Sequence, residues 1–333
     1  MIAIKKSSFF LSILLLVGSS MAIFAADEES DTPTPATATP PASNSREAIP
    51  LLGPQELRIK ALMDSISINR AHEIEIIESP NDRFLSLFRE STAGEPQGCI
   101  MLIHGDNEHP DWPQVISPIR NTLIENSWCT LSIEIPDTTK RFELPTLPTI
   151  NNTQENTTNQ TEQETKSLPN EEIIYSRMDS ARQHLSDKGY RRVIFLGHGT
   201  GAAYALKYVV DQGISGSALA IIDPFTPLPF NDFEMANLIE SLRLPVLDYY
   251  FNSNIKQYRA AQYRMSASKK RLSTANAYIQ IKAPPDRRYD SISEKRLTQR
   301  VWGFLKQNTH QMTQTRPLPT LEKGLFSEDP IKK

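Results

Sequence analysis

Apolar and β-branched runs of four to seven residues alternate along the chain with segments of helical periodicity, a pattern that predicts an α/β fold around a largely parallel sheet. Two leading strands are expected at Glu73–Ile77 (EIEII) and Phe84–Arg89 (FLSLFR). The turn Ser79-Pro80-Asn81-Asp82 between them makes a hairpin. Further strands are expected at Cys99–His104, Cys129–Ile135, Val193–Leu196, Ala218–Ile222, Val246–Phe251 and Tyr278–Ile281. Between them, Ile174, Met178, Ala181 and Leu185 recur at spacings of four, three and four, which aligns them on one face of a helix. Other helices are expected over Pro113–Asn126, Ala202–Asp211, Asp232–Leu242 and Ser291–Gln307. Eight strands so interleaved suit one sheet covered by helices on both faces.

Three stretches carry no such pattern. Asp27–Asn44 is Pro, Thr, Ala and Ser with acidic residues, so residues 27–49 are expected to be a disordered linker. Residues 143–169, containing NNTQENTTNQTEQET, offer no apolar face and are expected to be a surface insertion. Residues 309–333, with Pro317, Pro319 and Pro330, are expected to be a flexible tail. At the amino end, Lys5 and Lys6 precede an apolar run from Phe9 to Val17 and then small residues suited to a signal peptidase, so residues 1–26 match a secretory signal. The run is shorter than the roughly 20 residues a membrane span needs, and acidic residues follow at once. The expectation is a periplasmic or secreted protein of a Gram-negative envelope, with one domain over residues 50–308 and no transmembrane span in the mature chain.

The formal charge is −3 over 333 residues and becomes −5 if Lys5 and Lys6 leave with the signal, which gives no reason to expect nucleic-acid binding. Local charge differs. From Ile255 to Lys306 there are thirteen Lys or Arg against Asp286, Asp290 and Glu294. This segment is either a solvated helix surface or a basic face, around Arg259, Arg264, Lys269, Lys270 and Arg271, for an anionic envelope component or an acidic protein. The two cysteines, Cys99 and Cys129, would meet an oxidising compartment, each at the start of an expected strand. If those strands are parallel neighbours, a disulfide can form; two buried free thiols remain the alternative.

Strand Val193–Leu196 runs into Gly197-His198-Gly199-Thr200-Gly201 and then a helix. This strand, Gly-bounded turn and helix resemble the nucleophile elbow G-x-S-x-G of α/β-hydrolases, with Gly199 where serine belongs. Ile103-His104-Gly105 ends an earlier strand where that fold places its oxyanion loop. With His109-Pro110-Asp111-Trp112-Pro113, Ser132-Ile133-Glu134-Ile135-Pro136-Asp137 and Pro245-Val246-Leu247-Asp248, residues 50–308 resemble a family of proteobacterial exported proteins within the α/β-hydrolase superfamily, whose members carry no assigned biochemical role. The resemblance implies an α/β-hydrolase fold with an eight-stranded, mostly parallel sheet. No large cap is expected, since only about twenty residues separate the sixth and seventh strands. A dinucleotide site is not expected, because Gly-His-Gly-Thr-Gly comes late in the fold and lacks the G-x-G-x-x-G spacing; no cofactor is expected.

Serine hydrolysis needs a hydroxyl at the elbow, a histidine to take its proton and a carboxylate to hold that histidine. Glycine supplies no hydroxyl. Asp223, closing Ile-Ile-Asp-Pro, is the candidate acid, but Ala283-Pro284-Pro285-Asp286-Arg287-Arg288 holds no histidine where one belongs, and the next is His310. Thr200 is expected to cap the helix it begins rather than to attack, His198 to hydrogen-bond structurally, and Ser132 to be packed within its strand. His104, Asp106, Glu108, His109 and Asp111 crowd one loop near the strand ends, where a metal is conceivable, but polar loops are commonly acidic and no metal site is expected. The chain is therefore expected to be a non-catalytic binding protein. Gly197 to Gly201 would floor its pocket with His104, Gly105 and His109. An active ester or lipid hydrolase with an unusual nucleophile and a structural envelope scaffold are the alternatives.

Overall fold

The computed structural model describes residues 53–93, 96–139, 166–272, 277–284 and 291–309. The signal-like residues 1–26, the linker at 27–49, nearly all of the 143–169 insertion, His310 and the tail beyond it lie outside them.

Eight strands form one sheet: β1 (Ile74–Glu78), β2 (Arg83–Arg89), β3 (Gly98–Ile103), β4 (Trp128–Ile133), β5 (Val193–His198), β6 (Leu219–Ile222), β7 (Val246–Phe251) and β8 (Tyr278–Ala283). Their order across the sheet is β1-β2-β4-β3-β5-β6-β7-β8. β2 is antiparallel to both β1 and β4, and all pairings from β4 through β8 are parallel. The expected hairpin closes β1 and β2 with Glu78 opposite Arg83 and with Ser79 N–H donating to the Asp82 carbonyl at 2.8 Å.

Helices cover both faces. On one, α3 (Glu171–Asp187) and α4 (Thr200–Asp211) pack on the sheet, and the expected stripe Ile174, Met178, Ala181 and Leu185 is wholly buried. On the other, α2 (Ile116–Leu123) and α7 (Ser291–Asn308) bury Ile116, Ile119, Leu123, Val301 and Leu305. The β3 and β4 strands are buried along their whole length, as inner strands covered on both sides must be.

Two helices had no periodic signal. α1 (Pro54–Arg70) covers Leu85 and Leu87 of β2 through little more than Ile59 and Ile66, while Leu57 and Ile68 stand exposed. α6 (Ile255–Ser268) buries Ala260, Ala261, Arg264 and Ala267, a core face with almost no large apolar residue in it. Between β6 and β7 there is room only for α5 (Asp232–Asn237) and the one 3-10 turn that follows it, so no large cap stands over the sheet there. No helix among the described residues is long and apolar enough to cross a membrane.

Cys99 and Cys129 face each other in register on β3 and β4, with Cα atoms 4.4 Å apart, and are joined as a disulfide.

Candidate functional site

At the carboxyl end of β5 the chain turns sharply into α4, and Gly199 makes the turn at φ 58° and ψ −123°. That backbone conformation is strained for any residue with a Cβ. The glycines on either side answer a different need. A Cβ at position 197 would lie 2.5 Å from Ala202 Cα, and one at 201 would lie 2.5 Å from the Ile103 carbonyl oxygen, each with another backbone atom closer still. At position 199, by contrast, a Cβ would meet only Gly105 Cα, at 3.6 Å, which is ordinary contact. The elbow thus has the space for a nucleophile side chain and lacks the side chain.

The loop after β3 faces the elbow, and its backbone donors are already taken. Gly105 N–H donates to Glu108 Oε2 at 2.6 Å, and Asp106 N–H donates to Thr200 Oγ1 at 2.6 Å. An oxyanion hole requires N–H groups free to meet developing charge, so these two serve the fold instead. Thr200 was expected to cap its own helix. Its hydroxyl accepts from the neighbouring loop, because the side chain of the first helical residue points across the elbow toward Asp106.

Four histidines or carboxylates of this region are similarly committed. Ile135 N–H donates to His104 Nε2 at 3.1 Å, which puts the ring proton on Nδ1, 2.8 Å from the Gly105 carbonyl oxygen. Burial drives the His104 pKa down to about 4, so the ring is neutral and both nitrogens are used. His198 Nδ1 is 2.8 Å from the Glu108 carboxylate. Asp106 Oδ1 accepts from Thr138 N–H at 2.9 Å. Asp111 joins Arg120 and Arg70 in a buried cluster with Glu73. Among the described residues no three His, Cys, Asp or Glu side chains are gathered so as to hold a metal.

Asp223, the candidate acid, is buried at φ 45° just past β6, and its Oδ1 makes long hydrogen bonds of 3.5 Å with Phe251 N–H and Gln257 Nε2. Beyond β7 the chain reads Asn252-Ser253-Asn254, and Asn254 Oδ1 caps α6 by accepting from Gln257 N–H at 2.9 Å. Ser132 is buried inside β4, and its hydroxyl lacks a hydrogen-bond partner among the described residues.

A cleft of about 740 Å³ opens over the elbow. Asp106 and Thr200 lie at its base, with Phe225, Leu228, Phe230 and Lys256 among its walls. Phe225 and Leu228 are 56% and 81% exposed, large values that leave the mouth apolar to solvent, and Lys256 Nζ sits 5.7 Å from the centre of the Phe225 ring. The pocket floor expected from His104, Gly105 and His109 is corrected here. The His104 ring is buried, and His104, Gly105 and His109 are not among the residues that line the cleft. His109 stands edge-on to Trp112 at 5.3 Å with Asp111 N–H donating to its Nδ1, and burial lowers its pKa. The segment Phe225–Phe230 went unremarked in the sequence because its apolar residues follow neither helical nor strand spacing.

The basic segment also divides. Arg264 is buried and doubly bonded to Asp248, at 2.8 and 3.0 Å, and Arg271 is buried with its guanidinium donating to the Leu242 and Leu244 carbonyls. Neither is available to a partner: α6, packed through alanines, brings Arg264 close enough to the sheet to be drawn inside, and Arg271, just past the helix, is held by the carbonyls that precede β7. Arg259, Lys269 and Lys270 are exposed, Lys270 in contact with Glu240.

The fold is that of the α/β-hydrolases. A dienelactone hydrolase from Anabaena variabilis superimposes with a TM-score of 0.50 at 12% identity, over 71% of this chain and 99% of its own. An esterase from Pyrococcus furiosus does so with a TM-score of 0.50 at 10% identity, over 71% and 90%. At such identities the likeness is one of architecture alone. No curated protein matches the sequence. The family model described as protein of unknown function (DUF3530) matches residues 7–307, and the chain belongs to that family.

Proposed function

We propose that this chain is a non-hydrolytic member of the α/β-hydrolase superfamily that acts by binding, and that its ligand or partner belongs to the bacterial envelope. One observation carries the proposal. Gly199 occupies the nucleophile position while the Gly105 and Asp106 N–H groups of the facing loop, where such a fold finds one of its two oxyanion donors, are bonded to Glu108 and Thr200. Loss of a triad nucleophile alone removes about six orders of magnitude in rate, and here the loop N–H donors are occupied as well.

Binding is supported by the cleft. It has the size of a small-molecule site, a mostly apolar wall and a few polar groups at its base and rim, the composition such sites share. Export to an oxidising envelope compartment is part of the same proposal. It is supported by the signal-like residues 1–26 and is consistent with the Cys99–Cys129 disulfide. Arg259, Lys269 and Lys270 are the exposed cations of the basic segment that remain for an anionic envelope component.

The test is ester turnover by the purified protein on short- and long-chain acyl substrates, beside His104→Ala and Thr200→Val. The proposal expects no turnover above buffer in any sample. Robust turnover that either substitution abolishes would overturn it in favour of a hydrolase with an atypical nucleophile. Removal of Arg259, Lys269 and Lys270 without change in retention on anionic lipid would dismiss the basic face.

A further inference from the structure

The amino ends of the strands carry a second cavity, on the opposite side of the sheet's edge from the elbow cleft. It measures about 460 Å³ and lies between α3, the residues leading into β5 and the loop leading into β6. Three arginines are among its lining residues, Arg182, Arg191 and Arg192.

A single carboxylate, Asp179, shares the wall. It accepts from the Tyr208 hydroxyl at 2.5 Å and lies 3.6 Å from Arg182 Nη1. Among the described residues no carboxylate comes within ion-pair distance of Arg191 or Arg192. Three buried arginines are treated differently: Arg120 faces Glu73 and Asp111, Arg177 faces Asp82, and Arg264 faces Asp248, while the buried Arg271 is satisfied by the Leu242 and Leu244 carbonyls. Ser186 and Ser215, also in the wall, have hydroxyls that make no hydrogen bond to another described residue.

The carbonyl ends of α3 and α4 point toward this edge, each carrying about −0.5 charge, and so oppose an anion. Three guanidinium charges less that of Asp179 leave about two positive charges, roughly twice what the two helix ends offset. The balance favours an anion, and its chemistry follows from the donors. Two unpaired guanidinium forks and two free hydroxyls supply more donors than a single carboxylate can accept, whereas a phosphate monoester has three terminal oxygens and a charge close to two.

We propose that this cavity binds a phosphate-bearing group of about sugar-phosphate size, either a free phosphate ester or the phosphorylated head of an envelope lipid. The assignment is independent of the elbow cleft and of what that cleft holds.

The experiment is calorimetric titration of the purified protein with inorganic phosphate, glucose 1-phosphate and glucose, and sedimentation with phosphatidylcholine vesicles with or without phosphatidic acid, a lipid whose head is a phosphate monoester. The expected result is saturable binding of glucose 1-phosphate, weakened about tenfold or more by Arg191→Ala and by Arg192→Ala. Arg83→Ala, at an exposed arginine on the hairpin far from the cavity, should leave it unchanged. Binding of glucose 1-phosphate without vesicle retention identifies the free ester. Retention only on the vesicles that contain phosphatidic acid, abolished by both arginine substitutions, identifies the lipid head. Equal affinity in Arg191→Ala, an exposed position whose replacement leaves the fold intact, would overturn the proposal. So would binding of glucose as tight as that of its phosphate, or no binding of any phosphate probe.

Discussion

Restoring serine at position 199 separates the geometry of the elbow from its chemistry. The Cβ of Gly199→Ser would meet only Gly105 Cα at 3.6 Å, so the substitution adds no clash, and its cost is that of holding a side chain at φ 58° and ψ −123°, about 1–3 kcal/mol. Gly201→Ala meets carbonyl oxygens of Ile103 and His104 at distances no real Cβ tolerates, and backbone cannot yield as a side-chain tip can. It should cost at least as much as severe overpacking, about 3 kcal/mol or more. In urea denaturation monitored by tryptophan fluorescence, Gly199→Ser is expected to unfold cooperatively at a lower midpoint and Gly201→Ala to lie well below it or fail to fold. The serine is also expected to remain inert. His104 is neutral with both nitrogens bonded, His198 is held by Glu108, and no described histidine follows β8 to take its proton. If Gly201→Ala were as stable as the parent, or if Gly199→Ser alone conferred ester turnover, the account of this elbow as an intact frame around an absent reaction would be wrong.

Three further perturbations test the frame. Arg264→Ala strands the fully buried Asp248 carboxylate and should destabilise by about 3–5 kcal/mol, whereas Arg264→Met with Asp248→Leu should recover most of that in the same denaturation assay. Reduction of the Cys99–Cys129 bridge, which spans a sequence separation of 30, should cost about 3–4 kcal/mol by the loop-entropy relation, and neither thiol should react with a thiol reagent in the folded, unreduced protein. His104 titrates near 6.5 when unfolded and at about 4 when folded, so the fold favours its neutral form. Its contribution is complete above pH 6.5 and is lost as pH falls toward 4, a change of about 3 kcal/mol. Denaturation midpoints between pH 7 and pH 4 should show that slope in the parent and its loss in His104→Gln.

The strands were legible because burial on both faces leaves runs such as CIMLI and VIFL with no polar interruption, and all eight lie within a few residues of where the pattern puts them. The α3 helix was legible for the complementary reason, since four of its apolar residues share one buried face. α6 was not. Its inward face is Ala260, Ala261, Arg264 and Ala267, so close packing replaces large side chains, and an arginine that counts as surface in a charge tally is the partner of Asp248. The same misjudgement spread to Arg271: charge read along a sequence assigns every cation to solvent, while pairing inside the fold depends on what the sheet presents.

The elbow shows which part of a site local sequence can report. Gly197 and Gly201 are demanded by backbone contacts that any such strand–turn–helix must make, so the motif persists in the sequence whether or not chemistry occurs there. The fate of the oxyanion loop depends on contacts made across the chain. Glu108 turns back on Gly105, and Thr200 meets Asp106 from 94 residues away. No spacing in the sequence signals either bond, yet together they convert donors that would serve a transition state into links between the β3 loop, β5 and α4. Glu108 completes the exchange by also holding His198. The Gly105 and Asp106 N–H groups and the His198 ring are thus each bonded within the fold, and the cleft above Asp106 and Thr200 has largely apolar walls. Glu108→Gln distinguishes this from a site merely lacking serine. Losing the carboxylate charge while keeping the side chain's length should loosen His198 and the Gly105 loop, lowering stability by about 1–3 kcal/mol, without raising ester turnover. A Glu108→Gln protein as stable as the parent would mean that these bonds do not hold the elbow.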